Sequence, residues 1–174
     1  MIRPQKGFSL IELLIVVAII LIISAIAVPN LIRAKIAANQ ASAADSLRTL
    51  DSAATAYSNT YADGYPGGLA VLAPPGGNAT CDAAGLIDSV LASGQKSGYQ
   101  FTWQVGAEQV INVPAGCSAA GYSDMFAVTA SPFGYPTGTT YYCVDGTGVI
   151  RQSFTVITPT TAGCPVSAQP IGED

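Results

Sequence analysis

The 174-residue chain contains no histidine. That absence removes the usual general base, the imidazole metal ligand and every Ser-His or Cys-His nucleophilic pair. Charge is scarce as well: only 10% of residues are Asp, Glu, Lys or Arg, and the net charge is −4. An acidic surface of this kind disfavours binding to nucleic acid. Cysteine is limited to Cys81, Cys117, Cys143 and Cys164, with no Cys-x-x-Cys spacing. Zinc or thioredoxin-like redox chemistry is therefore not indicated, and two structural disulfides in an oxidising compartment fit better. Asp145 has acidic neighbours, but no dense Asp/Asn series accompanies it, so a turn-capping role is favoured over calcium. No catalytic residue, metal site or cofactor is expected.

What the chain has in excess is apolar sequence, unevenly placed. Residues are 49% hydrophobic overall, and positions 10–28 hold almost nothing else. This run follows a short polar leader carrying Arg3 and Lys6, and basic residues before an apolar stretch orient its amino end inward. Leu10 to Val28 spans 19 residues; as a helix it is about 28 Å long, close to the hydrocarbon thickness of a bilayer. A cleaved secretory signal, a plain single-span anchor and the buried helix of a soluble protein compete for such a segment. Ala25-Ile26-Ala27 has the small-x-small pattern of a signal-peptidase site. Glu12 argues against it: a charged side chain costs about 3 kcal/mol at the centre of a membrane helix and somewhat less near the interface, and an anchor gains nothing by carrying one.

Lys6-Gly7-Phe8-Ser9-Leu10-Ile11-Glu12 resembles the processing site of type IV pilins and the related pseudopilins. The resemblance implies cleavage after Gly7 by a prepilin peptidase and methylation of the new amino group on Phe8. It also implies a role for Glu12 in assembly, and it matches Pro29 to a helix-bending proline. Many relatives carry a glycine near position 21, where this chain has Leu21. Loss of 1–7 would leave five cationic side chains against eleven anionic ones, a net −6. Physically, a glutamate about 6 Å inside the new terminus can snorkel to the interface while the chain is in lipid. In a filament core it needs compensation, which the charged amino group of a neighbouring subunit's Phe8 would supply.

From Asn30 the pattern becomes amphipathic. Ile36, Ala43, Leu47, Leu50, Ala54, Tyr57 and Tyr61 recur at helical spacing, so one continuous helix is predicted over 8–61. Tyr57 and Tyr61 read as core aromatics. The second half of this helix needs a sheet to cover its stripe. Tyr99 to Val105 alternates with period two, Met125 to Ala130 is a second candidate strand, and Tyr141–Val144 with Val149–Ile157 brackets a turn at Asp145-Gly146. Leu86–Leu91 is a candidate short helix, and residues 165–174 read as a loose tail. Asn78-Ala79-Thr80 fits a glycosylation pattern of low specificity.

The expected fold is α+β, a long N-terminal helix packed on a C-terminal antiparallel sheet. The expected divisions are a leader (1–7), a membrane or filament-core half of the helix (8–29), an amphipathic half (30–62), a connecting region (63–98) and a disulfide-bearing sheet region (99–174). Four cysteines permit three pairings; the resemblance points to a terminal loop closed by Cys143–Cys164, leaving Cys81–Cys117. It further implies a homopolymeric filament for adhesion, twitching motility or DNA uptake. The implied partners are a prepilin peptidase/methyltransferase, an assembly ATPase with its inner-membrane platform, an outer-membrane secretin, and membrane lipid before assembly. Localisation would run from a single-pass inner-membrane form to a surface fibre. Two alternatives are a major pseudopilin of a type II secretion system and a membrane-anchored periplasmic binding domain that never polymerises.

Overall fold

The structure, a computed structural model, describes residues 7–61, 64–106, 117 and 122–172. It divides into two compact units, Met1–Lys35 and Ile36–Asp174. The leader residues 1–6 lie outside the described part.

The first unit carries the opening of helix α1 (Leu10–Tyr61, 52 residues). Many of its residues are β-branched and mediocre helix formers in water. A helix is nonetheless the one single-segment structure that satisfies every backbone group in lipid. Mean hydropathy reaches 3.1 over an 18-residue window, none of which is buried, so the helix is long and apolar enough to cross a membrane. Every side chain from Gly7 to Leu31 is exposed. Pro29 lies inside α1 without ending it; its ring removes one donor, that to the Ala25 carbonyl, and leaves the rest of the ladder in place.

In the second unit the stripe on α1 is closed over. Ala43, Leu47, Leu50, Ala54 and Tyr57 are fully buried. They pack against Tyr99, Phe101, Phe126, Val128, Tyr142 and Val144 of the sheet. Ile36 and Tyr61, at the ends of the stripe, are only half-buried. The Tyr57 hydroxyl donates to the Cys81 carbonyl at 2.6 Å, and the Tyr57 and Tyr61 rings lie 5.1 Å apart.

The sheet has six strands in the order β2-β3-β5-β6-β7-β8. These are β2 (Gln95–Lys96), β3 (Tyr99–Val105), β5 (Phe126–Pro132), β6 (Tyr141–Asp145), β7 (Arg151–Ser153) and β8 (Gln169–Pro170). All neighbours are antiparallel. Beside it, β1 (Tyr65–Pro66) pairs with β4 (Tyr122–Ser123). The α+β arrangement expected from the sequence is the one observed. Within 63–98 the described chain is not a bare connection. It holds β1 and the short helices α2 (Leu69–Leu72) and α3 (Ser89–Ala92), and each helix buries a leucine, Leu72 and Leu91. Asp88 begins α3, its Oδ1 accepting from the Val90 and Leu91 amides at 2.9 Å.

Both faces of the central strand are covered. Phe126 to Ala130 are all buried in an unbroken run, because Phe126, Val128 and Ala130 face α1 while Ala127 and Thr129 face the other way. On that second face Ala127, Cys143, Ile157, Cys164 and Ala168 form a separate core, with Tyr141 packed against it. This corrects two sequence expectations. The strand foreseen over Val149–Ile157 shortens to Arg151–Ser153, since the chain must leave the sheet to bring Ile157 across the second face. Residues 165–172 are not a loose tail: Ala168 is buried, β8 pairs with β7, and the Ile171 amide donates to the Ile150 carbonyl at 3.0 Å.

Disulfides join Cys81 to Cys117 and Cys143 to Cys164. Asp145, itself buried, reinforces the second bridge: its Oδ2 accepts from the Cys164 amide at 2.8 Å, and its Oδ1 accepts from the Thr147 hydroxyl and amide at 2.6 and 3.0 Å. Gly163 has φ +106°, and a Cβ there would lie 2.6 Å from Asp145 Oδ2, so only glycine lets the carboxylate approach. Burial opposes ionisation of Asp145, but the hydrogen bonds from Thr147 and Cys164, with Arg151 nearby, hold its pKa below 3.8. Asp51 on α1 is shifted the other way, upward, by burial and then by the charge of Asp145.

A depressed native pKa adds stability above the unfolded value, and that stability is lost as pH falls through the native one. Asp145→Asn is therefore expected to destabilise the chain by about 1–3 kcal/mol at pH 7, with the deficit shrinking below about pH 4. Asp51→Asn has the opposite sign, a gain at neutral pH that vanishes in acid. Thermal unfolding of the detergent-solubilised variants from pH 3 to 8 reads both. Replacing Cys143 and Cys164 together by serine should cost about 2–4 kcal/mol in the same assay.

Candidate functional site: the amino-terminal segment

Gly7, Phe8 and Ser9 precede α1 and are not helical. Phe8 is 78% exposed. The Ser9 carbonyl accepts the first helical bond, from the Leu13 amide at 3.2 Å, which makes Ser9 the residue that opens the helix. Three residues on, Glu12 Oε2 accepts from the Ser9 amide at 3.0 Å. This is half of a capping box, in which a glutamate in the first turn reaches back to an otherwise orphaned amide. A carboxylate at that end also opposes the positive pole of the helix dipole.

Glu12 thus has a hydrogen-bond partner in its own chain, which the sequence reading did not identify. The signal was visible, since Ser9-Leu10-Ile11-Glu12 is an S-x-x-E pattern directly before an apolar run. One partner does not exhaust the group. An ionised carboxylate offers about four acceptor positions, and Ser9 occupies one. The segment thus presents, within six residues, a non-helical Gly7-Phe8 link, an exposed aromatic side chain and a carboxylate anchored at the start of an apolar helix.

Gly7 has no conformational reason of its own to be glycine. Its φ is outside the left-handed region, and a Cβ built there would meet nothing within 4 Å. The other sequence-predicted positions lie elsewhere: Pro29 in mid-helix and the four cysteines in the second unit. Among the described residues no group of three or more Cys, Asp or Glu is arranged to hold a metal ion.

A family model described as the prokaryotic N-terminal methylation motif matches residues 2–28. The type IV wide pilus major component PilA4 of Thermus thermophilus is 60% identical over 37 residues, a stretch covering 21% of this chain and 28% of that protein. No solved structure matches the chain.

Gly7→Ala should leave the helix content by circular dichroism and the melting temperature unchanged, because the added methyl group meets open space. A melting shift of more than about 1 kcal/mol equivalent would show that the chain itself needs glycine there. The amino-terminal segment of this chain carries the prokaryotic N-terminal methylation motif.

Proposed function

We propose that the chain is a structural subunit of a type IV pilus, cut after Gly7, methylated on Phe8 and polymerised through the first half of α1 into a surface filament. One observation carries this reading: the methylation motif sits at the head of an apolar helix whose side chains from Phe8 to Leu31 are left uncovered by the chain's own residues. Such a surface is stable in lipid before assembly and against copies of itself afterwards. The relative's description as a pilus component supports the same reading.

In this scheme Glu12 has two successive partners. Before assembly it caps its own helix through the Ser9 amide. In the filament its remaining oxygen pairs with the charged methylamino group on Phe8 of a neighbouring subunit, and the low-dielectric surroundings make that attraction far stronger than a surface ion pair. Helix association within lipid has little hydrophobic drive of its own, so this pairing sets the axial register while side-chain packing supplies adhesion between helices. Pro29 permits local adjustment where the apolar half ends. The second unit, with its disulfides, would form the filament's outer layer. Function on this reading is mechanical, in adhesion, motility or DNA uptake, and needs no catalytic group.

Intact mass of the mature chain is expected to begin at a methylated Phe8, and electron microscopy of sheared cell-surface material should show fibres built from it. A mature terminus at Val28, or an uncut leader, would instead mean a secreted or simply anchored domain. Glu12→Gln keeps the reach-back to Ser9 but removes the charge; Glu12→Val removes both. Filament yield should fall steeply in both variants while cleavage continues. Wild-type filament from Glu12→Gln would show that capping alone matters and would dispose of the charge pair.

A further inference from the structure

Of the aromatic side chains described in the second unit, three are exposed: Phe133 (58%), Tyr135 (75%) and Phe154 (82%). All three stand at one end of the six-stranded sheet. Phe133 and Tyr135 occupy the turn from β5 to β6, and Phe154 follows Ser153 of β7, which lies opposite Tyr141 where that turn ends. A lone exposed ring needs no explanation, whereas this segregation to one end does.

The same end is where α1 enters the second unit, which begins at Ile36. Asn39 Nδ2 donates to the Thr137 carbonyl at 2.8 Å, and Gln40 Nε2 donates to Thr139 Oγ1 and Thr140 Oγ1 at 3.0 and 3.1 Å. The turn is also tied to its neighbours: the Phe133 amide donates to the Gly98 carbonyl at 3.1 Å, and the Thr137 amide donates to the Gly134 carbonyl at 2.7 Å. Phe133 and Tyr135 are therefore carried on a fixed turn bonded to α1 a few residues after Ile36.

Just before that attachment the sequence has the character of a membrane boundary. The apolar run gives out at Leu31-Ile32, Arg33 and Lys35 follow, and no acidic residue occurs from Leu13 to Ala44. Cations placed so reach back to lipid phosphates while their stems stay in apolar surroundings. Asn39 comes six residues after Arg33, a distance of about 9 Å as helix and about 20 Å at full extension. Chain connectivity alone thus keeps the turn within reach of the surface at which a membrane-spanning α1 would emerge.

We infer that the Phe133–Tyr135 turn, with Phe154 beside it, is a contact for the headgroup layer of the phospholipid leaflet from which α1 emerges. Aromatic rings favour that layer, tyrosine especially, because its ring is apolar and its hydroxyl stays wet. Residues 133–140 carry no charged side chain, so no ion has to be desolvated. Lys96, on the neighbouring β2, is already paired with Asp88 at 3.7 Å. Because the turn is held by hydrogen bonds, little conformational freedom is lost on contact. The inference rests on α1 crossing a bilayer, as in the proposed function, and does not require a filament.

The test uses the full chain at low protein density in vesicles of phosphatidylglycerol and phosphatidylcholine, the latter brominated near the headgroup or near the chain ends. Tryptophan is introduced by Phe133→Trp, Tyr135→Trp, Leu21→Trp and Val149→Trp, all at exposed positions. The wild-type chain, whose one tryptophan is Trp103, supplies the blank. Val149 serves as control because it lies between β6 and β7, at the far end of the sheet. Emission from positions 133 and 135 should be quenched about twofold more by shallow than by deep bromine, as for a ring about 5–10 Å into the headgroup and acyl boundary. Leu21→Trp should be quenched most by deep bromine, and Val149→Trp by neither. Quenching at 21 without quenching at 133 and 135 would overturn this inference and leave the membrane-spanning helix standing; no quenching at 21 would remove both. Equal quenching at 149 would mean adsorption without a preferred end, and an emission shift at 133 and 135 that follows protein density rather than bromination would assign the turn to a second copy. Either result would overturn the inference.

Discussion

The constraint on which the rest depends is that half of one helix has no cover among the described residues. From Leu10 to Val28 nearly every side chain is aliphatic, and all of them are exposed. At about 25 cal/mol for each Å² of apolar surface, leaving such a segment in water is far more costly than any other feature of the fold. An apolar environment outside the described residues is therefore what this segment is suited to. The second half of α1 faces the opposite condition. Its stripe of Ala43, Leu47, Leu50, Ala54 and Tyr57 is fully buried by the chain's own sheet. One continuous hydrogen-bonded element thus carries an exposed apolar segment and a segment whose apolar stripe is buried.

The second unit is held together by different means on the two faces of its sheet. Its central strand, β5, is buried on both faces, so two separate cores share one layer of backbone. The α1 face is held by large aromatics and leucines. The other is thin, with two cysteines, two alanines and one isoleucine, and a core of this size gains little from burial alone. The disulfide and the buried Asp145 carboxylate supply what apolar area does not. Asp145 is held by amides and a hydroxyl from two separate segments, which joins the β6–β7 turn to the returning chain at Cys164.

Much of this was legible in the sequence wherever the determinant is local and periodic. The 3–4 spacing from Ala43 to Tyr57 marks one face of a helix, and the alternation from Tyr99 to Val105 marks a half-buried strand. The returning segment was not legible. Ser167-Ala168-Gln169-Pro170 has no alternation and contains a proline, so nothing nearby announces an edge strand; its place is fixed by Cys164 and by Ala168 filling a gap on the second face. Asp145 was readable as a turn residue through Thr147, two positions away. Its bond to Cys164, 19 residues on, depends on the tertiary fold. In the amino-terminal segment the determinant is local again: Ser9-Leu10-Ile11-Glu12 carries the S-x-x-E pattern that sets the Glu12 carboxylate against the Ser9 amide.

The double role proposed for Glu12 follows from ordinary acceptor chemistry. A carboxylate spent wholly on a local cap would be an inefficient way to begin a helix in lipid, because serine or threonine at the opening position caps without a charge. A carboxylate kept only for a neighbour would be a liability while the subunit is alone. Anchoring one oxygen to the Ser9 amide limits that liability, because the charge is held at the positive pole of its own helix. A group positioned this way loses little conformational freedom when a second donor arrives. On the proposed scheme the cap would preorganise the carboxylate for a cation from another chain, so that the geometry that limits the cost of the charge in the isolated helix would also make the assembled contact selective.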